Sequence, residues 1–587
     1  MLPRVSQVFV CFMAIIGSWC AWAGAWAEEA DLILHHGRIV TVDKAFSIHE
    51  AIAVKDGRIV LTGSNDEVLK LRGENTASVD LAGKMMLPGL MDSHTHPTGA
   101  AMFEFDHEIP TMESIADVLA YVKKRTKMLD EGEWIFISQV FITRLKERRY
   151  PTRQELDSAA PNHPVMFRTG PDGMLNSLAL KVSGIDRDFK MADGDTGLIE
   201  RDEQGEPTGI LRSCTRLAKY KEPKGGKSAS EQDRYRRLRD LFADYNAVGL
   251  TAIADRDASS GAVDLYQKLL DNKELSVRIA ASRSLPAGGH VDAVRMHVRK
   301  IAAEPRVKGG DAMLRIVGVK SYLDGGMLTG SAYMRQPWGV SKIYSITDPK
   351  YQGLRFIPQE KLTPIVREVI EHGLQFTAHS VGDGAVHALI DTYDELARTL
   401  PAGAVAKVRP CITHCNFMSA QAVDRMSRLG IVADIQPVWL YLDAATLNEQ
   451  FGYERLRYFQ PLQSLFAANV TVGGGSDHMQ KIGSLRSVNP YNPWLGLWTT
   501  IARRPRNFEG RFHAEESLTR EQAIRFYTIN NARILFLDEV AGSLEKGKFA
   551  DMIVLDRDVL ACKEEDIRQT QVLRTYLQGR QVQGTKP

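Results

Sequence analysis

The chain has 587 residues, of which 44% are hydrophobic and 25% are charged, a balance that excludes a disordered or fibrous protein and favours more than one folded domain. Its 74 Lys and Arg residues against 72 Asp and Glu residues give a formal net charge of +2, and no long basic run occurs. Nucleic acid is therefore not an expected partner, and small uncharged or mildly polar molecules are the default substrates.

Residues 1–27 have the layout of a secretory signal peptide. Arg4 precedes an apolar run at residues 8–16, and small residues lead up to Ala27. Cleavage after Ala27 removes one of the 74 basic residues and no acidic residue, which leaves a charge of +1. A permanent anchor is the alternative, because the apolar stretch continues to Ala27. We expect export to the periplasm or the medium, with no membrane contact after cleavage.

Four cysteines remain after residue 27, which is too few for a disulfide scaffold in a chain of this length. Cys411 and Cys415 flank His414 and suggest a thiolate metal site. In an extended strand, however, they do not both share the side of His414. The favoured interpretation is that both are buried, small apolar residues.

The two ends of the chain share one pattern. Residues 30–87 alternate Val, Ile and Leu with Asp-Gly and Gly turns, which is typical of short antiparallel strands. Residues 541–583 repeat this pattern. The sequence therefore predicts one discontinuous β-sandwich, formed by residues 28–86 together with residues 541–587.

The middle of the chain alternates strands with amphipathic helices. Eight strand-helix units can be counted, from the strand that begins near Leu87 to the strand VTVGGGSD at residues 470–477. This alternation of strands and helices predicts an α/β protein with a (β/α)8, TIM-like barrel over residues 87–540. Residues 101–235 are rich in turns, and we expect them to form an insertion over the barrel mouth, after the first barrel strand.

The segment LPGLMDSHTHPTG at residues 87–99 carries the first functional signal. Residues two apart in a strand point the same way, so His94 and His96 form a pair of neutral imidazole ligands for a divalent metal. A single His-x-His pair is weak evidence for a metal site, because most histidines on strands are merely hydrogen-bonded. The ends of later strands supply further ligand-type residues that would meet at the same rim: Lys320, Asp324, His379, His414 and Asp477.

Six segments carry a resemblance to a known family. They are PGLMDSHTHP at 88–97, VKSYLDGGMLTGS at 319–331, AHSVGDGAV at 378–386, ITHC at 412–415, GGGSD at 473–477 and GSLEKGKFADMIVLD at 542–556. With these segments the chain resembles the amidohydrolase superfamily, and within it the amidohydrolase-3 branch of YtcJ-like metal-dependent hydrolases. The resemblance covers nearly the whole chain after residue 27.

The resemblance implies a role for each of these residues. His94 and His96 would hold the more buried metal, and His379 and His414 the more exposed one. Lys320 would be carboxylated and bridge the two metals, and the alternative is an ordinary lysine paired with Asp324.

Asp477 would bind the metal and act as the catalytic residue that accepts a proton from the attacking water. A helix N-cap is its alternative role.

The implied reaction is hydrolysis of a C–N bond of amide type, other than a peptide bond, in a small molecule by metal-activated water. Zinc fits a histidine-rich site with open positions, as one or two ions, and iron, manganese or cobalt would accept the same ligands. Hydrolysis of cyclic amides, dipeptides or esters is the alternative within enzymes. A non-catalytic, small-molecule-binding barrel is the alternative outside them, and assembly into a homo-oligomer is left open.

Asp324, Gln436, Trp439 and His478 are the predicted substrate contacts. Two departures from the family pattern point to altered substrate contacts: Met174 stands where the family has the His of an Asp-Gly-His motif, and residues 137–141 read ISQVF. The glycines at 473–475 resemble an anion-binding loop. No Lys-Ser/Thr pair follows them, so they predict tight backbone packing instead.

Overall fold

A computed structural model describes residues 29–192 and 195–585, so the predicted signal peptide at residues 1–27 lies outside the described residues. Eight parallel strands form one sheet in simple chain order: Leu90–Thr95, Leu250–Ala258, Arg278–Ser284, Leu314–Tyr322, Gln375–Ser380, Cys411–His414, Val432–Ile435 and Val472–Gly474. The backbone N–H of Asp477 donates to the His94 carbonyl at 2.8 Å, and that of His96 to the His478 carbonyl at 2.8 Å. These bonds join the last strand to the first, which confirms the predicted barrel.

Helices alternate with the barrel strands and cover the outside of the sheet. Those of ten residues or more are Glu231–Ala247, Ser260–Asp271, Val291–Ala302, Gln359–Glu371, Asp383–Thr399, Ala420–Leu429, Pro437–Phe451 and Pro493–Ala502. Shorter helices near the barrel are Pro97–Met102, Pro305–Lys308, Ala404–Lys407, Leu462–Ala467, Arg520–Tyr527 and Ile529–Ile534. None of the helices within the described ranges has the length and apolar character that a bilayer crossing needs.

The amphipathic pattern of the sequence explains how these helices dock. In the helix Val291–Ala302 the buried residues Val294, Val298 and Ile301 recur three to four positions apart, so they form one apolar stripe that faces the barrel. The helix Glu231–Ala247 begins at a capping box, in which the Ser230 side chain and Asp233 satisfy each other's backbone N–H groups. Local sequence therefore fixes both the start and the buried face of such helices.

Two further sheets lie outside the barrel, and the second of them combines strands from both ends of the chain. One contains Leu32–His35, Ala51–Lys55, Arg58–Gly63 and Ala77–Asp80, and the helix Asn65–Val68 lies between its last two strands in sequence. The other contains Arg38–Val40, Ile48–His49, Met85–Pro88, Met552–Leu555, Val572–Leu577 and Arg580–Gln583. Leu34, Ile52, Met552 and Tyr576 belong to one shared buried cluster, so the two sheets pack face to face.

The segment after the first barrel strand forms a sheet of its own, which the turn-rich sequence did not predict. Its five strands are Ile135–Ser138, Val165–Thr169, Asp172–Leu175, Leu198–Arg201 and Pro207–Arg212. The helices Ile115–Thr126, Arg153–Ala159 and Ser177–Ser183 accompany these strands. This insertion contributes residues to the cavity at the barrel mouth, so it covers the end of the barrel where ligand-type residues gather.

A buried ion pair joins the terminal sheets to the barrel, and its loss should destabilise the protein. Arg278, at the start of the third barrel strand, donates to both carboxylate oxygens of Asp551, at 2.6 and 3.0 Å, and neither side chain is more than 2% exposed. Asp551→Ala leaves a buried guanidinium without its partner, so we expect a loss of about 3–5 kcal/mol in the free energy of unfolding. Chemical denaturation measures this loss.

The control is Glu565→Ala, which removes the half-exposed partner of Arg504 and should cost less than about 1 kcal/mol. Equal stability of the two variants would contradict the assigned role of the buried pair.

Candidate metal centre

His94, His96 and Asp477 form a compact group of potential metal ligands. The Oδ1 atom of Asp477 lies 3.3 Å from His94 Nε2 and 3.2 Å from His96 Nε2, and the ligand atoms of all three residues lie within 4.8 Å of one another. Ligands about 2.0–2.2 Å from one tetrahedral ion are about 3.4 Å apart, so these spacings fit a single divalent cation. His94 and Asp477 are buried, whereas His96 keeps a side-chain exposure of 23%.

Close backbone packing brings Asp477 to the two histidines. A side chain at Gly475 would place its Cβ 2.6 Å from the His94 Cβ and 2.9 Å from the His94 backbone nitrogen, so glycine is required at this approach. This confirms that the glycine run serves tight packing. Asp477 itself has a positive φ of 54°, an uncommon conformation that recurs at functional sites.

The carboxylate of Asp434 fixes the orientation of the His94 ring. Asp434 lies in the seventh barrel strand, is fully buried, and its Oδ2 is 3.0 Å from His94 Nδ1. Its Oδ1 accepts hydrogen bonds from Ser93 Oγ and Gln436 Nε2, both at 2.9 Å. With the proton on Nδ1, the Nε2 lone pair of His94 faces Asp477, which is the tautomer a metal ligand needs. Burial lowers the pKa of His94 well below its usual value, which keeps the ring neutral.

Asp434→Asn should weaken metal binding without removing a ligand. The amide retains an acceptor oxygen but loses the charge that holds the proton on His94 Nδ1, and partners of this kind typically contribute 10–100-fold in metal affinity. We therefore expect about 10–100-fold weaker binding of zinc, measured by competition with a chromogenic chelator. Asp172→Asn is the control, since Asp172 is buried in the insertion and bonds to Ser213. Unchanged affinity in Asp434→Asn would contradict the orienting role.

His379 and His414 lie beside this group, although neither belongs to the three-residue cluster. The His414 ring is stacked on His94 at 4.9 Å and meets the His379 ring edge-on at 4.4 Å between centroids. His414 Nδ1 is 2.6 Å from Gln436 Oε1, and His379 Nε2 is 3.2 Å from the Gly325 carbonyl oxygen. Since those nitrogens donate to oxygen acceptors, His414 Nε2 and His379 Nδ1 keep their lone pairs. Burial lowers the pKa of His379 to about 3 and that of His414 well below its usual value.

Lys320 is buried at the end of the fourth barrel strand and has no ionic partner in the part of the chain that the structure describes. Its Nζ forms no hydrogen bond there and lies 5.2 Å from the centroid of the Tyr322 ring. Burial lowers the pKa of Lys320 to about 8. Asp324 does not pair with it, because the Asp324 oxygens accept backbone N–H groups of Tyr333, Val381 and Gly382 at 2.8–3.0 Å.

A cavity of about 330 Å³ opens above these residues. Its lining from the barrel strands and loops is His94, His96, Lys320, Tyr322, Asp324, Gly326, Met327, Leu328, Thr329, Phe356, His379, Val381, His414, Trp439, Asp477 and Met479. The insertion adds Gln139, Phe141, Arg168, Gly170 and Pro171. Apart from the predicted metal ligands the walls are mainly apolar and aromatic, which is typical of a small-molecule site. Trp439 and Asp324 line this cavity, as expected for substrate contacts.

The other two predicted substrate contacts are placed differently. Gln436 forms hydrogen bonds with His414 and Asp434 and is not among the residues that line the cavity. The His478 ring is likewise turned away, with Nδ1 at 2.8 Å from the Tyr245 hydroxyl and Nε2 at 2.6 Å from the Gln480 carbonyl. The polar atoms of both side chains are committed within the protein, and their role as substrate contacts stays a prediction.

The structure also shows where Met174 and the segment ISQVF, which depart from the family pattern, lie relative to the cavity. Met174 is buried in the apolar core of the insertion and is not part of the cavity lining. Phe141, the last residue of ISQVF, does line the cavity. Of the two departures, only the ISQVF segment therefore contributes to the cavity wall, through Gln139 and Phe141. Cys411 and Cys415 are free and buried, which fits their interpretation as apolar residues.

Comparisons with known proteins assign the chain to a class. The sequence profile described as "Amidohydrolase family" matches residues 77–583. The N-substituted formamide deformylase of Arthrobacter pascens is 28% identical over 94% of this chain and 98% of its own. The putative amidohydrolase YtcJ of Bacillus subtilis is 24% identical over 93% of this chain and 98% of its own.

A solved structure has the same fold. The uncharacterized metal-dependent hydrolase from Pyrococcus horikoshii OT3 superposes with a TM-score of 0.64 at 20% identity, covering 91% of this chain and 99% of its own. Together with the barrel and its ligand cluster, these matches define a hydrolase of the metal-dependent amidohydrolase type. The chain belongs to the amidohydrolase family, as its six motifs indicated.

Proposed function

We propose that this protein is an exported hydrolase that removes a formyl or short acyl group from N-substituted amides of small molecules. The observation that carries the proposal is the convergence of His94, His96 and Asp477 at the floor of a mainly apolar cavity. The relative named N-substituted formamide deformylase, which matches along nearly its whole length, supports this bond type. Export rests on the signal-peptide pattern of residues 1–27.

His94, His96 and Asp477 would hold a divalent cation, for which zinc is the first candidate, with His379 and His414 beside it for a second ion. When bound, such a cation supplies Lewis-acid chemistry that lowers the pKa of water and polarises a carbonyl group. Asp477 takes a proton from the attacking water on its carboxylate and returns it to the nitrogen of the leaving amine. Water oxygen bonds to the acyl carbon, the C–N bond breaks, and a carboxylic acid and an amine result.

The apolar walls bind the substituent on the amide nitrogen. Phe141 comes from the insertion, Tyr322 from the fourth strand and Trp439 from the first turn of the helix Pro437–Phe451, so three separate elements each contribute an aromatic ring to the cavity wall. Burial of this apolar surface excludes bulk water around the reacting bond.

Lys320 is proposed to carry a carboxyl group. The neutral amine attacks carbon dioxide through Nζ, a C–N bond forms, and one proton is released, which leaves a carbamate anion. Burial and the low pKa of Lys320 favour the neutral amine, and the lack of an ionic partner within the described residues leaves Nζ free to react. Where cations bind at this site, such an anion would balance part of their positive charge.

A substrate panel tests the proposed reaction. The purified protein is assayed with N-alkyl formamides, the matching acetamides, a lactam, a dipeptide and an ester, before and after chelation and after return of zinc, iron or manganese. We expect turnover of the formamides and acetamides, its loss on chelation and its return with metal. A folded protein that stays inactive with every metal yet binds these compounds would contradict the proposal and favour a binding barrel. Turnover of the lactam, dipeptide or ester alone would show that the protein hydrolyses a different type of bond from the one proposed.

A further inference from the structure

We propose that Arg168 forms an anion-binding subsite in the cavity wall, so that the substrates are N-formyl or N-acyl amino acids and related amides with a carboxylate on the amine side. This inference rests on the proposed function, because that function limits the acyl side to formyl or a short acyl group. The negative charge must then belong to the other half of the substrate. The subsite refines the initial expectation of an uncharged or mildly polar substrate.

Arg168 is placed in the cavity by the insertion. It lies in the strand Val165–Thr169, next to Ser138 of one neighbouring strand and Gly173 of the other. It shares the cavity with the predicted metal ligands at the barrel floor. A molecule that reaches from the floor to this wall therefore spans from the reacting bond to the guanidinium.

Among the residues that the structure describes, no carboxylate pairs with the Arg168 guanidinium. Its Nε donates to the Gly170 carbonyl at 3.2 Å, and neither terminal nitrogen has a partner in the protein there. Three other arginines, whose side chains are at most 8% exposed, each have a carboxylate partner. Arg212 pairs with Glu200, Arg278 with Asp551 and Arg144 with Asp443.

This difference points to a ligand. Arg168 is partly buried, and desolvation without a counter-charge costs free energy and lowers the pKa of Arg168 from its usual value. A guanidinium nevertheless stays protonated at neutral pH. Its planar fork presents parallel N–H donors that match the two oxygens of a carboxylate. The unsatisfied donors of Arg168 are therefore positioned for an anionic ligand.

Above the floor of the cavity, Arg168 is the cationic residue among the lining residues that the structure describes. Of the other charged residues that line the cavity, Asp324 and Asp477 are acidic and Lys320 lies at the floor with the predicted ligands. A substrate carboxylate that does not bind at the metal centre would therefore contact the Arg168 guanidinium on the wall. The cavity of about 330 Å³ accommodates an amino-acid side chain beside this contact.

Matched substrates test the subsite. N-formylphenylalanine, as both enantiomers, is compared with N-phenethylformamide, which differs by the absence of the carboxylate. In the wild-type protein we expect a preference for the carboxylate compound, and Arg168→Met should reduce its kcat/KM about 10–100-fold, mainly through KM. N-phenethylformamide should be hydrolysed equally by both proteins. Arg168→Lys should fall between them, and Arg187→Met, a change at an exposed arginine paired with Glu206, should have no effect.

The outcomes separate the two proposals. Equal use of both compounds by the wild-type protein and by Arg168→Met would overturn the subsite and leave the hydrolase intact. If neither compound is hydrolysed, the proposed function fails, and calorimetry with 3-phenylpropionate and 3-phenylpropanamide then decides on the subsite. Binding of the carboxylate that is lost in Arg168→Met would support it, and equal binding by both proteins would overturn it.

Discussion

Lys320→Ala is expected to abolish most metal binding and to lower turnover by at least about 100-fold. Loss of a residue that merely supports a ligand already costs 10–100-fold, and Lys320 is proposed to contact the cations directly as a carbamate. The structure supports a special role, since the side chain is 1% exposed and its Nζ has no hydrogen bond or ion pair among the residues described. Metal analysis and steady-state kinetics on the same preparation measure both effects.

Two further variants distinguish a carbamate from a simple packing role. Lys320→Glu supplies a carboxylate in place of the proposed carbamate. Lys320→Gln introduces a side chain of the same size as Glu but without its charge. The Glu variant should therefore retain more metal than the Gln variant. The native protein should also gain the mass of one carbon dioxide at Lys320 when bicarbonate is present. Normal metal content and normal turnover in Lys320→Ala would remove Lys320 from the mechanism.

Asp477→Asn is expected to keep bound metal and to lose turnover by about 10²–10⁴-fold, the usual contribution of a general acid-base residue. The amide oxygen still lies near His94 and His96, but it cannot take up the proton of the attacking water. The position of the Asp477 Oδ1 atom, 3.2–3.3 Å from both Nε2 atoms, is the basis for this expectation. Single-turnover kinetics of metal-loaded protein isolate the chemical step from product release.

Asp383→Asn is the matched control for this variant. Asp383 lies near the same end of the barrel, at the start of the helix Asp383–Thr399, and its Oδ1 accepts the backbone N–H of Arg335 at 2.8 Å. Its conversion to Asn should leave turnover unchanged. A normal rate in Asp477→Asn would assign the proton transfer to another residue.

The barrel and its ligand group were predictable because their signals are local and repeat along the chain. Strand ends at His94, His379, His414 and Asp477 could be located from apolar runs followed by polar residues, and the barrel topology brings such ends to one rim. The burial of Lys320 followed from its place in the strand Leu314–Tyr322.

Contacts between distant segments were not predictable in the same way. Asp434 interrupts the apolar strand IVADI, a signal for a buried polar role, but its partner His94 is 340 residues away in sequence. Arg168 reaches the cavity only because the insertion folds into a sheet over the barrel mouth. His478 follows Asp477 directly, yet adjacent residues point in different directions, and its ring is held by Tyr245 and the Gln480 carbonyl.

Whether His94, His96 and Asp477 form a catalytic metal centre is tested by the metal content of the purified protein, measured by inductively coupled plasma mass spectrometry, with amide hydrolysis measured on the same samples. We expect at least one divalent metal ion per chain in the wild-type protein, and loss of both metal and activity in His94→Ala and His96→Ala. A folded wild-type protein that binds no zinc, iron or manganese, or the same metal content in all three proteins, would contradict the claim that these residues form a catalytic metal centre.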